Sequence, residues 1–146
     1  MSQREKLLAV VDDDLQQDCR DYRTLRDLMQ ALYGHLLERD VSEIDRINLQ
    51  VSSRIEMLAA RAQRRSKVLA AFRLEATGPG MQRLLSGCSG ERGEALQRHW
   101  QQLGELARQC RQLNERNGKL LAMHHEVLQQ LLVGNQSAQL YTHQPY

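Results

Sequence analysis

The sequence predicts an all-α protein, an elongated antiparallel helical hairpin or coiled coil joined by a third long helix in a bundle-like arrangement. Only 4% of its 146 residues are aromatic, whereas leucine, arginine and glutamine recur, which favours long helices over a β-sandwich. Apolar residues follow one another at alternating intervals of three and four along most of the chain, which is the spacing of a helix face that packs on another helix. A chain of this length is expected to form one domain with a substantial core.

The first helix is predicted at about residues 4–37. Ser2 and Glu5 have the spacing of a capping box, in which each side chain accepts a hydrogen bond from the other residue's backbone N–H. Apolar side chains then recur from Leu8 to Leu36 with the three-four alternation of a packed helix face. This helix would be roughly 50 Å long at about 1.5 Å per residue.

Helix 2, predicted at about residues 40–76, must turn straight back along helix 1. Asp40 and Glu43 provide a second capping box after a very short connection. A second apolar face then runs from Ile44 to Phe72. The two helices should therefore lie antiparallel as a hairpin.

Opposite charges support this hairpin. Residues 1–45 hold 11 acidic and 6 basic side chains, a net −5, whereas residues 46–75 hold 2 and 7, a net +5. An antiparallel hairpin that turns at residues 38–40 pairs positions whose numbers sum to about 78. Exposed ion pairs contribute only about 0.2–1 kcal/mol each, so they are expected to select orientation and register more than to supply stability. The predicted partners are Asp12, Asp13, Asp14 and Asp18 on helix 1 and Arg61, Arg64, Arg65 and Lys67 on helix 2.

A glycine-rich connector is predicted at residues 77–93, where five glycines and one proline surround a short apolar group with room for one helical turn. Helix 3 follows at about residues 92–133 and completes a single helical domain, residues 1–133. The periodicity ends at Gly134, so residues 134–146 are predicted to be a mobile tail. The long connector leaves the placement of helix 3 against the hairpin open.

Polar residues interrupt the apolar face of helix 3. That face steps by four and three from Leu96 to Cys110, and the same steps then reach Asn114 and Asn117. Both amides are therefore predicted to face a partner helix, and Gly118 beside them costs roughly 1 kcal/mol relative to alanine. Two interpretations remain open: the asparagines set helix register and oligomeric state, or they belong to a docking surface for another helix. The full predicted face is Leu96, Trp100, Leu103, Ala107, Cys110, Asn114, Asn117, Leu121, His124, Leu128 and Leu131.

The sequence contains no recognisable catalytic or metal-binding pattern. No nucleophile–base pair or phosphate-binding glycine loop is present, and His124 and His125 are adjacent, so they project about 100° apart on a helix. Cys19 and Cys110 lie on predicted packed faces, where thiols behave as small hydrophobic groups. Cys88, in the connector, is the only cysteine expected at the surface. These features predict a protein that is not an enzyme and needs no metal or cofactor.

The segment Leu113-Asn114-x-x-Asn117-Gly118-x-Leu120-Leu121, followed about twenty residues later by Leu140-Tyr141, resembles the FlgN family of flagellar type III export chaperones. The order and length of the predicted helices are similar to that family along the whole chain. The resemblance implies a cytoplasmic, non-enzymatic chaperone that binds hook-filament junction (hook-associated) proteins. It would mask their amphipathic C-terminal helices and deliver them to the export gate.

The resemblance also assigns roles to particular residues. Leu140 and Tyr141 would dock on the cytosolic domain of the export-gate protein. Here Tyr141 is followed by Thr142-His143-Gln144-Pro145-Tyr146, whereas the family usually has glycine-containing sequence, and a local alternative is that Leu140-Tyr141 folds back on a helix end. The implied client-binding residues are Leu113, Asn114, Asn117, Gly118, Leu120, Leu121, His124, Val127 and Leu128.

A cytoplasmic chaperone of this kind would reach the membrane only through the export gate, as a monomer or weak homo-oligomer. Two other functions stay open. One is a scaffolding coiled coil that self-associates. The other is a helical nucleic-acid binder based on the basic cluster at residues 61–73. Nucleic acid is not expected, because aspartates of helix 1 are placed to neutralise that cluster and no aromatic residues alternate with it.

Overall fold

A computed structural model describes the backbone of residues 2–138 and the side chains of residues 2–127 and 129–131. Within that part of the chain there is no strand, which confirms the all-α prediction. None of the described helices is both long and apolar enough to cross a membrane. The helices are α1 (Gln3–Glu38), α2 (Val41–Ala71), α3 (Gly78–Ser86) and α4 (Gly90–Ala138).

The first two helices begin at the predicted capping residues, but only the first forms a complete capping box, because the Asp40 N–H donates to the His35 carbonyl oxygen instead of to Glu43. The Glu5 N–H donates to Ser2 Oγ at 3.1 Å, and the Ser2 N–H donates to the Glu5 carboxylate at 3.3 Å. At the start of α2 the Glu43 N–H donates to Asp40 Oδ1 at 3.3 Å. Between the helices Arg39 adopts the left-handed conformation, with φ 57°, which reverses the chain within two residues. The hairpin turn therefore lies at the predicted position.

The connector departs from the prediction, because it holds a nine-residue helix rather than a single turn. Helix α2 ends at Ala71, five residues earlier than predicted. Thr77 then caps α3 by accepting a hydrogen bond from the Gly80 N–H at 3.1 Å, and Pro79 fits the first turn, where its missing N–H costs nothing. A side chain at Gly80 would collide with the Glu75 backbone. The inward side chains of α3 are Met81, Leu84 and Leu85, all buried.

Helix α1 lies between the other two long helices. Its contacts with α2 are antiparallel, as predicted. Its contacts with α4 join residues whose numbers differ by 88, such as Met29 with Asn117 and Tyr22 with Cys110, so α4 runs parallel to α1. No Cα atom of α2 lies within 8 Å of one of α4. The two outer helices therefore both pack on α1 but not closely on each other.

Helix α4 is longer than the hairpin beside it. The offset of 88 between contacting residues places the end of α1, Glu38, opposite residue 126. Residues 127–138 of α4 therefore extend past the hairpin turn by about 18 Å. We call this segment the α4 extension. It continues as helix to Ala138, five residues beyond the predicted end, and residues 139–146 of the predicted tail lie outside the described residues.

Candidate functional site

The face of α4 that packs on α1 is not quite the predicted one. The predicted and the observed faces share the residues at intervals of seven from Leu96 to His124. Between these shared positions, each observed contact lies one residue earlier in the sequence than the predicted one. Leu106 is buried and Leu113 and Leu120 are half-buried, whereas Asn114 and Leu121 are exposed. The observed face, with Leu106, Leu113 and Leu120, is favoured because its burial removes more apolar surface from water than burial of the predicted row, which contains an alanine and an asparagine. The observed face could have been predicted by comparing the apolar content of these two rows of residues.

Asn117 faces α1 as predicted, and the same prediction was wrong for Asn114. The Asn117 side chain is 3% exposed, and its Nδ2 donates to the Met29 carbonyl oxygen at 3.0 Å. Its Oδ1 is buried without a hydrogen-bond partner, so the residue reduces stability relative to a fully satisfied contact. Because the bond forms in one alignment of α1 and α4 only, Asn117 helps to set their register.

The predicted client-binding residues divide into a packed group and an accessible group. Asn117 is buried, and Leu113, Leu120 and His124 are half-buried against the bundle. On the accessible side Leu121 is 51% exposed and Val127 43%, and Leu131 farther along is 59% exposed. The side chain of Leu128, and all of Leu140 and Tyr141, lie outside the described residues. The exposed members are Asn114, Gly118, Leu121 and Val127.

The hairpin carries a network of aspartates and arginines that is more buried than predicted. Asp18 and Asp21 are each 1% exposed, and the Arg61 guanidinium donates to both carboxylates. Arg65 adds a bond to Asp18 at 2.8 Å, and Arg54 one to Asp21 at 2.7 Å. Most of the basic cluster therefore neutralises buried carboxylates.

The individual pairs only partly match the predicted ones. Arg64 holds Asp14 through two bonds of 2.6 and 2.7 Å, and Asp18 pairs with Arg61 and Arg65, as predicted. Asp12 instead binds His99 of α4 at 2.7 Å, because α1 has a second neighbour on that side. Asp13 and Lys67 are exposed. The ion pair between Asp21 and Arg54 was not predicted, although the two residue numbers sum to 75, close to the sum of about 78 expected for facing residues of the hairpin.

An apolar groove runs between α2 and α4, at a place that was not predicted from the sequence. Its floor is formed by Tyr22 and Leu25 of α1, and its volume is about 430 Å³. At one end the Arg65 guanidinium lies 5.8 Å from the centroid of the Trp100 ring, a cation–π distance. We call this feature the α2–α4 groove. Its walls are Ile55, Leu58, Ala59, Ala62 and Arg65 of α2 and Trp100, Leu103, Gly104 and Ala107 of α4.

The comparison with protein families gives one decisive match. The model of the FlgN protein family matches residues 1–142, nearly the whole chain. The chain belongs to the FlgN family. The predicted resemblance is therefore confirmed, and the family's general role is that of a chaperone in flagellar export. Comparisons with curated proteins and with solved structures give no match.

The described residues of this FlgN-family chain include one group of possible metal ligands and several exposed apolar side chains. Among the described residues one group could offer three metal ligands, His35, Glu38 and Asp40 at the hairpin turn, whose ligand atoms lie within 4.8 Å of one another. Closed zinc sites usually take four nitrogen or sulfur ligands, which this group does not supply. Exposed leucine and valine on α4 can instead bury apolar area against another protein.

Acid should destabilise this FlgN-family fold through Asp21. Burial alone would raise the pKa of Asp21, but hydrogen bonds from Arg54 and Arg61 outweigh it and hold the pKa below its usual value. The ionised form therefore contributes stability that is complete above the unfolded pKa of about 3.9 and is lost as the pH falls through the lower folded pKa. We expect the free energy of unfolding in urea to fall as the pH drops below about 4. In an Asp21→Asn variant that fall should be smaller, and an identical fall in both proteins would contradict the assignment.

Proposed function

We propose that this chain is a flagellar export chaperone for hook-filament junction proteins, and that it binds their amphipathic C-terminal helices on the C-terminal half of α4. The observation that supports this most directly is the set of exposed apolar side chains in the last part of α4, two of which lie on the α4 extension. Leu121, Val127 and Leu131 are 51%, 43% and 59% exposed, and the hairpin ends opposite residue 126. A helix that carries such residues beyond its own bundle is suited to pairing with the apolar face of another helix.

Binding of this kind protects the client, because the apolar face of a free client helix would otherwise associate with other client molecules. Burial of apolar surface is favourable by about 25 cal/mol per Å², so covering both faces stabilises the complex. Gly118 lies beside Leu121 on the accessible side, and no atom outside the local helix backbone lies within 4 Å of the place where a Cβ would be. A client helix can therefore approach the α4 backbone closely there. Leu113 and Leu120 would act indirectly, because they hold α4 on α1.

Delivery to the export gate is proposed to use the C-terminal residues Leu140 and Tyr141. The support is the family membership and the position of these residues in the sequence, after the proposed client-binding residues, so that docking there would leave the client surface free. In this arrangement the gate and the client contact different parts of the chain. The two interactions should therefore be separable by mutation.

The test is capture of the chain on immobilised C-terminal fragments of hook-filament junction proteins. The double variant Leu121→Glu/Val127→Glu should bind at least about tenfold more weakly, a difference of about 1.4 kcal/mol, because carboxylates would have to be desolvated in an apolar contact. Leu49→Glu is the matched control, since Leu49 is 75% exposed on the outer face of α2. Circular dichroism should show equal helicity for all three proteins.

Two outcomes would decide against parts of this proposal. Undiminished capture of the double variant would show that clients do not bind at this part of α4. A Tyr141→Ala variant should still bind the client fragments but should no longer be captured by the cytosolic domain of the export-gate protein. Loss of client binding in that variant would show that the client and gate sites are not separate.

A further inference from the structure

The hairpin turn brings together one imidazole and two carboxylates that can bind a metal ion. We infer that His35, Glu38 and Asp40 form an open site for a divalent transition-metal ion such as Zn²⁺, which joins the end of α1 to the start of α2. One ring nitrogen and one oxygen of each carboxylate lie within 4.8 Å of one another. Metal binding at this turn does not depend on client binding.

The backbone of the turn holds the three ligands close together. His35 and Glu38 are three residues apart on α1, so their side chains lie on the same face of the helix. Arg39 is in the left-handed conformation, and the Asp40 N–H donates to the His35 carbonyl oxygen at 3.0 Å. That bond fixes Asp40 beside the last turn of α1. All three ligands therefore stand at helix ends and not in a long loop.

The imidazole of His35 is half-buried and is not committed to another group. Its Nδ1 is buried without a hydrogen-bond partner, and its Nε2 lies 3.8 Å from Glu43 Oε2, too far for a hydrogen bond. The Glu43 carboxylate is instead held by Arg46, with bonds of 2.6 and 3.0 Å. A neutral imidazole binds a metal through a ring nitrogen, so His35 can supply the nitrogen ligand.

The two carboxylates can supply the oxygen ligands. Asp40 uses Oδ1 to accept the Glu43 N–H at the start of α2, and an ionised carboxylate has further lone pairs for an ion. Glu38 is exposed, so its side chain can turn toward the ion. Two negative charges this close repel each other until a cation lies between them. The negative end of the α1 dipole also favours a cation here.

The ligand types select the class of ion. Ca²⁺ takes six to eight oxygen ligands and Mg²⁺ requires near-octahedral oxygen ligands, whereas imidazole suits zinc, nickel and copper. Three protein ligands leave a coordination position for water, as in open zinc sites. In a tetrahedral zinc site the ligand atoms are about 3.4 Å apart, so the carboxylates need to move inward by no more than about 1.4 Å from the 4.8 Å limit.

A bound ion would close the hairpin turn through side chains, in addition to the backbone bond between Asp40 and His35. Since the geometry of the site depends on the folded turn, the ion should bind the native state more tightly than the unfolded chain and so stabilise it. Glu38 lies opposite residue 126, so the ion would strengthen the end of the hairpin from which the α4 extension emerges.

The first test is calorimetric titration of the full chain with Zn²⁺ in a Cys88→Ser background, since Cys88 is the cysteine that is not buried. We expect one ion per chain. His35→Gln and Glu38→Gln should each weaken binding at least about tenfold. Asp40→Asn should do the same and keep the cap of α2, because asparagine caps as well as aspartate. Unchanged affinity in all three variants would mean an adventitious ion only and would overturn the site.

His125→Gln is the matched control, because His125 is an exposed histidine of α4 outside the proposed site. Its affinity for Zn²⁺ should equal that of the parent protein, and a tenfold loss in this variant would place the ion on α4 and overturn the assignment. Ca²⁺ should bind at least about tenfold more weakly than Zn²⁺. Tighter binding of Ca²⁺ would overturn the proposed class of ion.

The second test locates the ion and measures its effect on the fold. In nuclear magnetic resonance spectra, added Zn²⁺ should shift the amide signals of residues 35–43 most strongly. It should also raise the thermal unfolding temperature of the parent protein and leave that of His35→Gln unchanged. Largest shifts outside the turn, or equal stabilisation of both proteins, would overturn the inference. Neither measurement uses a client, so failure of client capture would leave both results decisive.

Discussion

Replacement of Arg61 by methionine should lower the free energy of unfolding by about 3–5 kcal/mol, because it leaves buried carboxylates without part of their compensating charge. The Arg61 side chain is 11% exposed and bonds to both Asp18 and Asp21, whose side chains are 2% and 1% exposed. Arg65 and Arg54 would each still hold one carboxylate, but no other described residue joins the two. Urea unfolding followed by circular dichroism measures the loss.

Arg64→Met provides the control for this prediction. Arg64 also pairs with an aspartate of α1, but its side chain is 55% exposed, so its loss should cost less than the loss of Arg61. Equal losses for the two variants would mean that burial does not set the strength of this network.

Replacement of Leu96 by alanine should cost about 2–5 kcal/mol, because it opens a cavity in a closely packed core. Leu96 is 0% exposed and belongs to the main cluster of buried side chains, which draws on all four helices. The loss should appear in the urea midpoint. It should also speed amide hydrogen exchange along α4, since Leu96 is one of the side chains that hold this helix on α1.

Leu121→Ala is the matched control on the same helix. Leu121 is 51% exposed, so the same chemical change should alter stability by no more than about 0.5 kcal/mol. A large loss in this variant would show that Leu121 is buried in solution.

The hairpin could be predicted from local rules. Ser2 with Glu5, and Asp40 with Glu43, mark helix starts because short polar side chains satisfy free backbone N–H groups there. The position of the turn then gave the register, which the opposite charges support, and Asp14 does meet Arg64. These features depend on residues close together in the sequence or on one short turn, so little tertiary information was needed.

The placement of α4 could not be predicted in the same way. Its offset from α1 depends on α3, whose buried Met81, Leu84 and Leu85 fix where α4 begins, and the glycine-rich composition of the connector concealed that helix. It was ambiguous which face of α4 contacts α1, because the apolar residues of a seven-residue repeat can be spaced by three and then four or by four and then three. Asn114 was placed inside for that reason. The α2–α4 groove arises only when three helices are in position, so no single segment encodes it.

The burial of α4 against α1 changes along the helix and so creates a gradient of local stability. Leu96, Leu103 and Leu106 are buried, whereas Leu113, Leu120 and His124 are half-buried. Opening that begins at the hairpin turn would break the least-buried contacts first and stop before the dense layers near Leu96. The part of α4 proposed to bind clients can therefore loosen and close again while the rest of the molecule stays folded. Binding and release of a client need not involve global unfolding of the chaperone.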